Sequence, residues 1–575
     1  MVTWSDVLLW RAAHIETVQD DASAARKAAR EQVQELEAHY NRIASQGLAI
    51  DAMRQALSRV QDELDHAVNA ISAYMLACAE AIDGVRVVEA KVKSALEISE
   101  EIGCTIYDDG SVSIPYIDLS DAVRYGKADV LLGKSNELHM CIADALSVAR
   151  KVDEELHRKL QELAEDRFEQ NGPKEGRHSA SPGLPDDADE SWSPSEVSAW
   201  WGALTDEERQ ACIERDPLKY GNLDGIDMAS RDKANRMALY GYDTGGNASI
   251  RLGSTGLLQQ AQDKFDQAQA AYDDCVGAHG EDSDEAKALK ADRDRAERDL
   301  ADLQKIDERL RKGAGEDGEP VSLLALDTSG EQVKAAVAVG DVDHAQHVAN
   351  FTPGMGTNVR ESLANYVDVA DRMRDNTEDQ AGVELSDVAV VAWLNYDAPT
   401  DVTKTFDPSV ASTEKAHEGA DRLAGFLTGV RTWRNEQGGS LHLTSIGHSY
   451  GSTTTGLAML KMGEGVVDNQ IYLASPGSGA HSVGALGVDP SHVWVSAVPE
   501  GDAVQGMGPD WSDFARDPVE LEGIQHLSGD ATGAQGYVSV NPGSYDNHSS
   551  YFAPPKPGER NKVFDDVCKV LGGAK

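Results

Sequence analysis

One stretch constrains this chain more than any other. The apolar run Leu441–Ile446 leads into Gly447-His448-Ser449-Tyr450-Gly451, and the chain continues as STTTGLAMLKM. An apolar strand, a G-x-S-x-G turn and a helix in immediate succession place the serine on a sharp, strained turn. Such a turn needs small neighbours. Gly447 and Gly451 let strand and helix approach closely, and His448 and Tyr450 flank the serine. The turn lifts the Ser449 hydroxyl clear of the sheet. The helix N-terminus behind it supplies positive potential where an oxyanion would form.

A turn of this kind needs a sheet to project from, and the sequence after Pro320 supplies one. Short apolar runs (Val321–Leu326, Ala345–Phe351, Val388–Leu394, Leu441–Ile446, Gln470–Ala474, His492–Val498) alternate with helical stretches such as Thr357–Arg374 and Glu414–Glu436. Apolar strands separated by helices predict a doubly wound, mostly parallel α/β sheet covered on both faces. Residues 313–575 are predicted to form this domain.

A serine hydroxyl is a weak nucleophile and needs a base, itself oriented by an acid. Where the serine sits on such an elbow, chain order runs Ser, then Asp or Glu, then His. Asp502 stands just past the strand His492–Val498, with Glu500 and Asp530 as rivals. Two histidines lie downstream of Asp502, and His548, between a last apolar stretch (Tyr537–Val540) and a last helix, is preferred over His526. Two backbone N–H groups are needed for the oxyanion. Tyr450, the residue after the serine, supplies one. The loop Thr352–Thr357 supplies the other, from Met355 by preference, with Gly354 next. His344 and His347 have no matching partners nearby, so neither a metal nor any other cofactor is expected.

The upstream half reads differently. Residues 1–170 are predicted to be a helical bundle. Ile50, Met53, Leu57, Val60, Leu64, Val68 and Ile71 form an apolar stripe that a neighbour must cover. A small β-hairpin interrupts it near 105–114, where Asp109-Gly110 marks the turn. Residues 171–192, rich in Pro, Gly, Ser and acid, read as a flexible linker. A helical lead-in is expected over 193–256, opened by a capping box at Ser193–Glu196. The charged stretch 257–312 is predicted to be an inserted helical hairpin, with a coiled-coil-like seam at Leu289, Ala296, Leu300, Leu303 and Leu310.

The formal net charge of −45 excludes a phosphate-tracking surface, so no nucleic-acid partner is expected. No apolar run reaches the roughly 18 residues of a transmembrane helix. The start, MVTWSDVLLW, lacks the basic and long apolar regions of a cleavable signal. A cytoplasmic protein, or one exported without such a signal, is therefore expected. Six scattered cysteines, with no C-x-x-C pair, give no disulfide or zinc framework.

The FTPGMGT loop, VVAWLNYDAP (390–399), HEGADRLAGFL, GHSYGS, YLASPGSG and the EGD and NHSSYF segments together resemble an actinobacterial α/β-hydrolase family of unassigned function. SPSEVSAWWGALTDEE and GNLDGIDMASRDKANR resemble its lead-in. That resemblance implies serine-hydrolase activity but supplies no substrate. An ester, small-molecule or lipid, is expected over an amide because it needs less help for the leaving group. The N-terminal helices are similar, more faintly, to helical substrates of type VII secretion, although the turn Ser45-Gln46-Gly47 lacks their Trp. The alternative expectation is therefore a secreted effector or interaction protein that binds a helical partner through residues 1–170.

Overall fold

The computed structural model describes residues 2–42, 47–113, 128–164, 187–189, 191–241, 255–400, 411–497, 504–506, 508, 512–528, 548, 550–554 and 560–574. The chain divides into two compact units, 1–210 and 211–575. Most of the linker expected over 171–192 and the turn residues Ser45 and Gln46 lie outside the described residues.

The first unit is helical. Its elements are α1 (Trp4–Val7), α2 (Ala12–Arg42), α3 (Leu48–Ile102), the strands β1 (Thr105–Ile106) and β2 (Val112–Ser113), α4 (Ala128–Ala164) and α5 (Pro194–Ala203). Helix α3 stops at Gly103, whose left-handed φ of 69° provides the C-cap. The hairpin then forms by antiparallel pairing of Thr105 with Ser113 and Ile106 with Val112. Val88, Val92 and Ala95 of α3 meet Leu138, Ile142 and Ala145 of α4 in a buried core. The predicted stripe on α3 is only partly covered. Val68 is 3% exposed, but Met53 and Val60 remain 43% and 45% exposed. Alanine and charged residues dominate α2, which packs along α3 and offers little apolar surface to cover them.

Helix α5 begins with the predicted capping box, Ser193 and Glu196 each bonding the other's backbone N–H. It belongs to the first unit rather than to a lead-in continuous with the sheet domain. Its Ser195 hydroxyl donates to Asp83 of α3 at 2.7 Å, and its Glu196 pairs with Lys159 of α4 at 3.3 Å. The division between units falls inside α6 (Asp206–Arg215).

The second unit continues with α7 (Pro217–Asn222), α8 (Met228–Tyr240), α9 (Leu257–His279) and α10 (Asp284–Lys312). Helices α9 and α10 form an antiparallel hairpin, with Arg293 stacked 4.9 Å from the Tyr272 ring centre. Helix α10 is charged, and the middle of its predicted seam is buried. Ala296, Leu300, Leu303 and Ile306 are buried, and the last three join the core under the sheet. Asp302 accepts the Arg360 backbone N–H at 2.7 Å and its guanidinium at 3.1 Å, and buried Arg309 pairs with Asp368. Those charges look solvated in sequence because their partners lie some 60 residues away.

Then come β3 (Val321–Asp327), β4 (Lys334–Val339), β5 (His347–Thr352), α11 (Val359–Ala381), β6 (Val388–Leu394), α12 (Glu414–Glu436), β7 (His442–His448), α13 (Tyr450–Met459), β8 (Asn469–Leu473), β9 (Val493–Ser496), β10 (Gln525–His526) and α14 (Lys562–Leu571). They build one eight-stranded sheet in the order β10-β9-β8-β7-β5-β6-β4-β3. Strand β4 runs antiparallel to β3 and β6, and the other pairings are parallel. One face is covered by α12 and α13 and the other by α10, α11 and α14. From β5 the chain passes first to β6 on one side, then to β7 on the other. Strand order therefore reverses at β5, and the crevice beyond its carboxyl end is where open α/β sheets place their sites.

At the opposite end of the sheet, Asp343 accepts the backbone N–H groups of Met228 and Ala229 at 2.9 and 2.8 Å, capping α8. Burial of this carboxyl, reinforced by Asp227 and Asp341 and opposed by the two N–H donors, raises its pKa to about 6. Its ordinary value is 3.8, so the charged form is disfavoured on folding. Its contribution to stability is thus full below pH ~3.8 and is lost as pH rises through ~6. The difference in unfolding free energy between Asp343→Asn and the parent should shift in the variant's favour by roughly 2 kcal/mol between pH 4 and 7. Urea unfolding at both pH values measures it, and a pH-independent difference would contradict the assignment.

Candidate active site

Ser449 is the junction of β7 and α13, and its backbone is strained. Its φ of 57° and ψ of −133° lie where side chains other than glycine seldom go. Packing from three directions holds it there. The Ser449 N–H donates to Leu473 of the neighbouring β8 at 2.9 Å, and its carbonyl accepts from Ser452 N–H at 2.9 Å. A Cβ on Gly447 would fall 2.4 Å from Ser452 Cα and from Thr455 Oγ1. A Cβ on Gly451 would fall 2.3 Å from the Thr352 carbonyl oxygen and 2.5 Å from that of Pro353. Both glycines of the motif are therefore demanded by close approach, the first of strand to helix and the second of helix to the β5 loop.

That loop, Thr352–Thr357, leaves the end of β5, where Thr352 is paired with Gly447. It lies directly on the serine, since a Cβ on Gly354 would come 2.5 Å from Ser449 Cβ and 2.9 Å from Ser449 Oγ. Three hydrogen bonds fix its peptides. The Tyr396 hydroxyl donates to the Pro353 carbonyl at 2.6 Å, and the Thr357 hydroxyl donates to the Gly354 carbonyl at 2.7 Å. The Gly356 N–H donates to Pro399 O at 2.7 Å. Among the described residues, the N–H groups of Gly354 and Met355 have no hydrogen-bond partner. Unpartnered amides in a loop packed against Ser449, itself 4% exposed, can serve a charge that develops there.

His548, the expected base, is 8% exposed and packs against His448, the residue before the serine. Its ring centre lies 4.8 Å from that of His448, and the His448 Nε2–H donates to the His548 carbonyl at 2.7 Å. Carbonyls only accept, so His448 carries its proton on Nε2. Phe552 packs edge-on against His448 at 5.2 Å and against Phe351, the penultimate residue of β5, at 4.7 Å. Asn561 ties the segment further, donating to the carbonyls of Ser550, Tyr551 and Ala553 at 3.0–3.2 Å while capping α14.

Asp502 and its rivals Glu500 and Asp530 lie outside the described residues, as does the apolar stretch Tyr537–Val540. His526 sits on the edge strand β10, in register with Val495. His344 pairs with Asp341 at 2.7 Å, and the His347 ring stands edge-on to His442 at 5.7 Å. The Tyr450 side chain anchors the start of α12, donating to Ser412 O at 2.7 Å and accepting Ala416 N–H at 3.1 Å. Sequence reasoning misses Tyr396, Thr357 and Asn561. Each acts through a backbone carbonyl, which leaves no mark in the sequence of its partner.

Comparison with known proteins agrees with this fold. Residues 328–512 match the sequence profile of a family described as alpha/beta hydrolase. The uncharacterized protein Rv2079 of Mycobacterium tuberculosis is 30% identical over 314 residues, covering 52% of this chain and 42% of the relative. The chain thus spans less than half the length of that relative. The uncharacterized protein Rv0963c of the same species is 34% identical over 235 residues, covering 40% of this chain and 83% of the relative. An uncharacterized Mycobacterium bovis protein, Mb0988c, aligns equally well over the same span. With its eight-stranded sheet, strained serine turn and these relatives, the chain belongs to the alpha/beta hydrolase family.

Proposed function

We propose that this protein is a serine hydrolase that cleaves carboxylic esters. The observation that carries the reading is the strained turn at Ser449 with Gly354 packed against it, in a loop whose Gly354 and Met355 amides are unpartnered among the described residues. In the proposed reaction the Ser449 hydroxyl attacks the ester carbonyl while His548 takes its proton. Asp502 holds the imidazole in the required tautomer. The Tyr450 N–H and that of Met355 or Gly354 stabilise the tetrahedral oxyanion. The protonated His548 returns the proton to the departing alcohol, leaving an acyl-serine. Water, deprotonated by His548, then attacks the acyl-serine. The Ser449 Oγ–acyl bond breaks, His548 returns the proton to Ser449 Oγ, and the acid leaves. Esters are favoured because an alcohol oxygen departs with less help from proton transfer than an amide nitrogen, which must be protonated to leave.

Ser449→Ala should lower kcat toward p-nitrophenyl esters by roughly 10⁴-fold or more with the fold intact. More than about a tenth of parental activity would contradict the role of Ser449. Asp502→Asn should lower kcat by roughly 10⁴-fold through loss of imidazole orientation. If Glu500→Gln or Asp530→Asn is the damaging change instead, the acid is misassigned.

A second reading concerns the helical unit and rests on the exposed Met53 and Val60 of α3. In it this unit binds a helical protein partner, and the protein is exported. Met53→Asp combined with Val60→Asp should leave ester turnover unchanged and reduce the protein recovered from culture medium. Undiminished export would count against it.

A further inference from the structure

We infer that Tyr396, assisted by Thr357, is a positioning residue that aims the amides of the β5 loop at the Ser449 hydroxyl. The inference rests on the reading of Ser449 as nucleophile. Tyr396 follows β6, two residues beyond its end, and reaches sideways to the loop after the adjacent β5. It is 5% exposed, and its ring is stacked on Trp393 at 5.9 Å with an interplanar angle of 16°. Gly419 of α12 makes room for it, since a Cβ there would fall 2.9 Å from the Tyr396 ring. The ring has little freedom, so the hydroxyl is a fixed donor.

That donor meets the Pro353 carbonyl at 2.6 Å. A trans peptide is planar, with its C=O and N–H pointing in opposite directions. Fixing the Pro353 oxygen therefore fixes the direction of the Gly354 N–H. The Thr357 hydroxyl, 2.7 Å from the Gly354 carbonyl, fixes the Met355 N–H by the same rule. The two peptides that carry the unpartnered amides are thus each held by one side-chain hydroxyl. Gly354 lies against Ser449, and the Pro353 oxygen also abuts Gly451, so the loop, the elbow and Tyr396 meet at one point.

The phenol must stay protonated to donate. Burial raises its pKa well above 10.0, with Tyr450 and Tyr366 adding to the shift and Thr454 opposing it. Thr454 belongs to α13, so the tyrosine touches the helix of the serine turn as well as the loop. Removing its hydroxyl would leave the Pro353 carbonyl without its donor and let that peptide rotate. Attack on the substrate would continue, but with the oxyanion poorly served.

Tyr396→Phe and Thr357→Val in the full chain test this. Removing an oxyanion donor outright costs roughly 10²–10³ in kcat, so misaiming one should cost roughly 10- to 100-fold. For Tyr396→Phe we expect that loss in kcat, KM for a p-nitrophenyl ester within about twofold, and an equal loss of affinity for a trifluoromethyl ketone, whose adduct carries the oxyanion. Thr357→Val should show the same pattern, and it carries the test if Tyr396→Phe does not fold. Lower thermal stability with parental kcat and ketone affinity would mean a structural role only and would overturn the inference. Fluorophosphonate labelling of the parent separates the two levels. With no label on Ser449, both the nucleophile and the role of Tyr396 fall. With label present and Tyr396→Phe and Thr357→Val kinetically unchanged, only the positioning role falls.

Discussion

The second unit is organised around one strained residue. Ser449 is held at φ 57° because three backbones converge on it: β7, the start of α13 and the loop after β5. Strain of this kind costs of order 1–3 kcal/mol and persists only where the surroundings over-determine it. Here the surroundings are specific. Leu473 on β8 takes the Ser449 N–H, Gly447 admits the helix, and Gly451 admits the carbonyls of Thr352 and Pro353. No side chain could occupy either glycine position without separating the elements that meet there.

The sheet brings these backbones together because strand order reverses at β5. Strands β5 and β7 become neighbours although about 90 residues lie between them, and Thr352 stands in register with Gly447. Their carboxyl ends open on the same crevice, and His548 reaches the end of β7 by packing on His448. Aromatic packing of Phe552 between His448 and Phe351 links that approach to both strands. The middle residue of the motif has its own task, since His448 donates to the backbone of His548. Adjacent residues of one turn therefore have different neighbours, the serine the β5 loop and His448 the backbone carbonyl of His548.

Much of this is legible in sequence because it is local. The strand, the serine turn and the helix are contiguous, and the capping box at Ser193 needs only four residues. Strand β4 is harder to see. Its residues Lys334–Val339 are mostly alanine and valine, and without large side chains they give no distinctive apolar run. On helix α10 the ion pairs of Asp302 and Arg309 are not legible, because their partners Arg360 and Asp368 lie in a distant segment. The stripe on α3 reads as fully buried, yet periodicity tells which face is apolar and not how far a neighbour extends along it. Tyr396 escapes notice for a related reason. It looks like one more core aromatic until its hydroxyl is found on Pro353.

The claim on which the rest stands is that Ser449 carries the acyl group during turnover. It is tested most directly by acid-quenching the full chain during steady-state hydrolysis of a p-nitrophenyl ester and mapping the acyl mass by peptide mass spectrometry. The account requires the adduct on the peptide containing Ser449, appearing with a burst of p-nitrophenol and disappearing as substrate is exhausted. Turnover with the acyl group on another residue, or with no protein-bound acyl group under conditions that accumulate the intermediate, would contradict it.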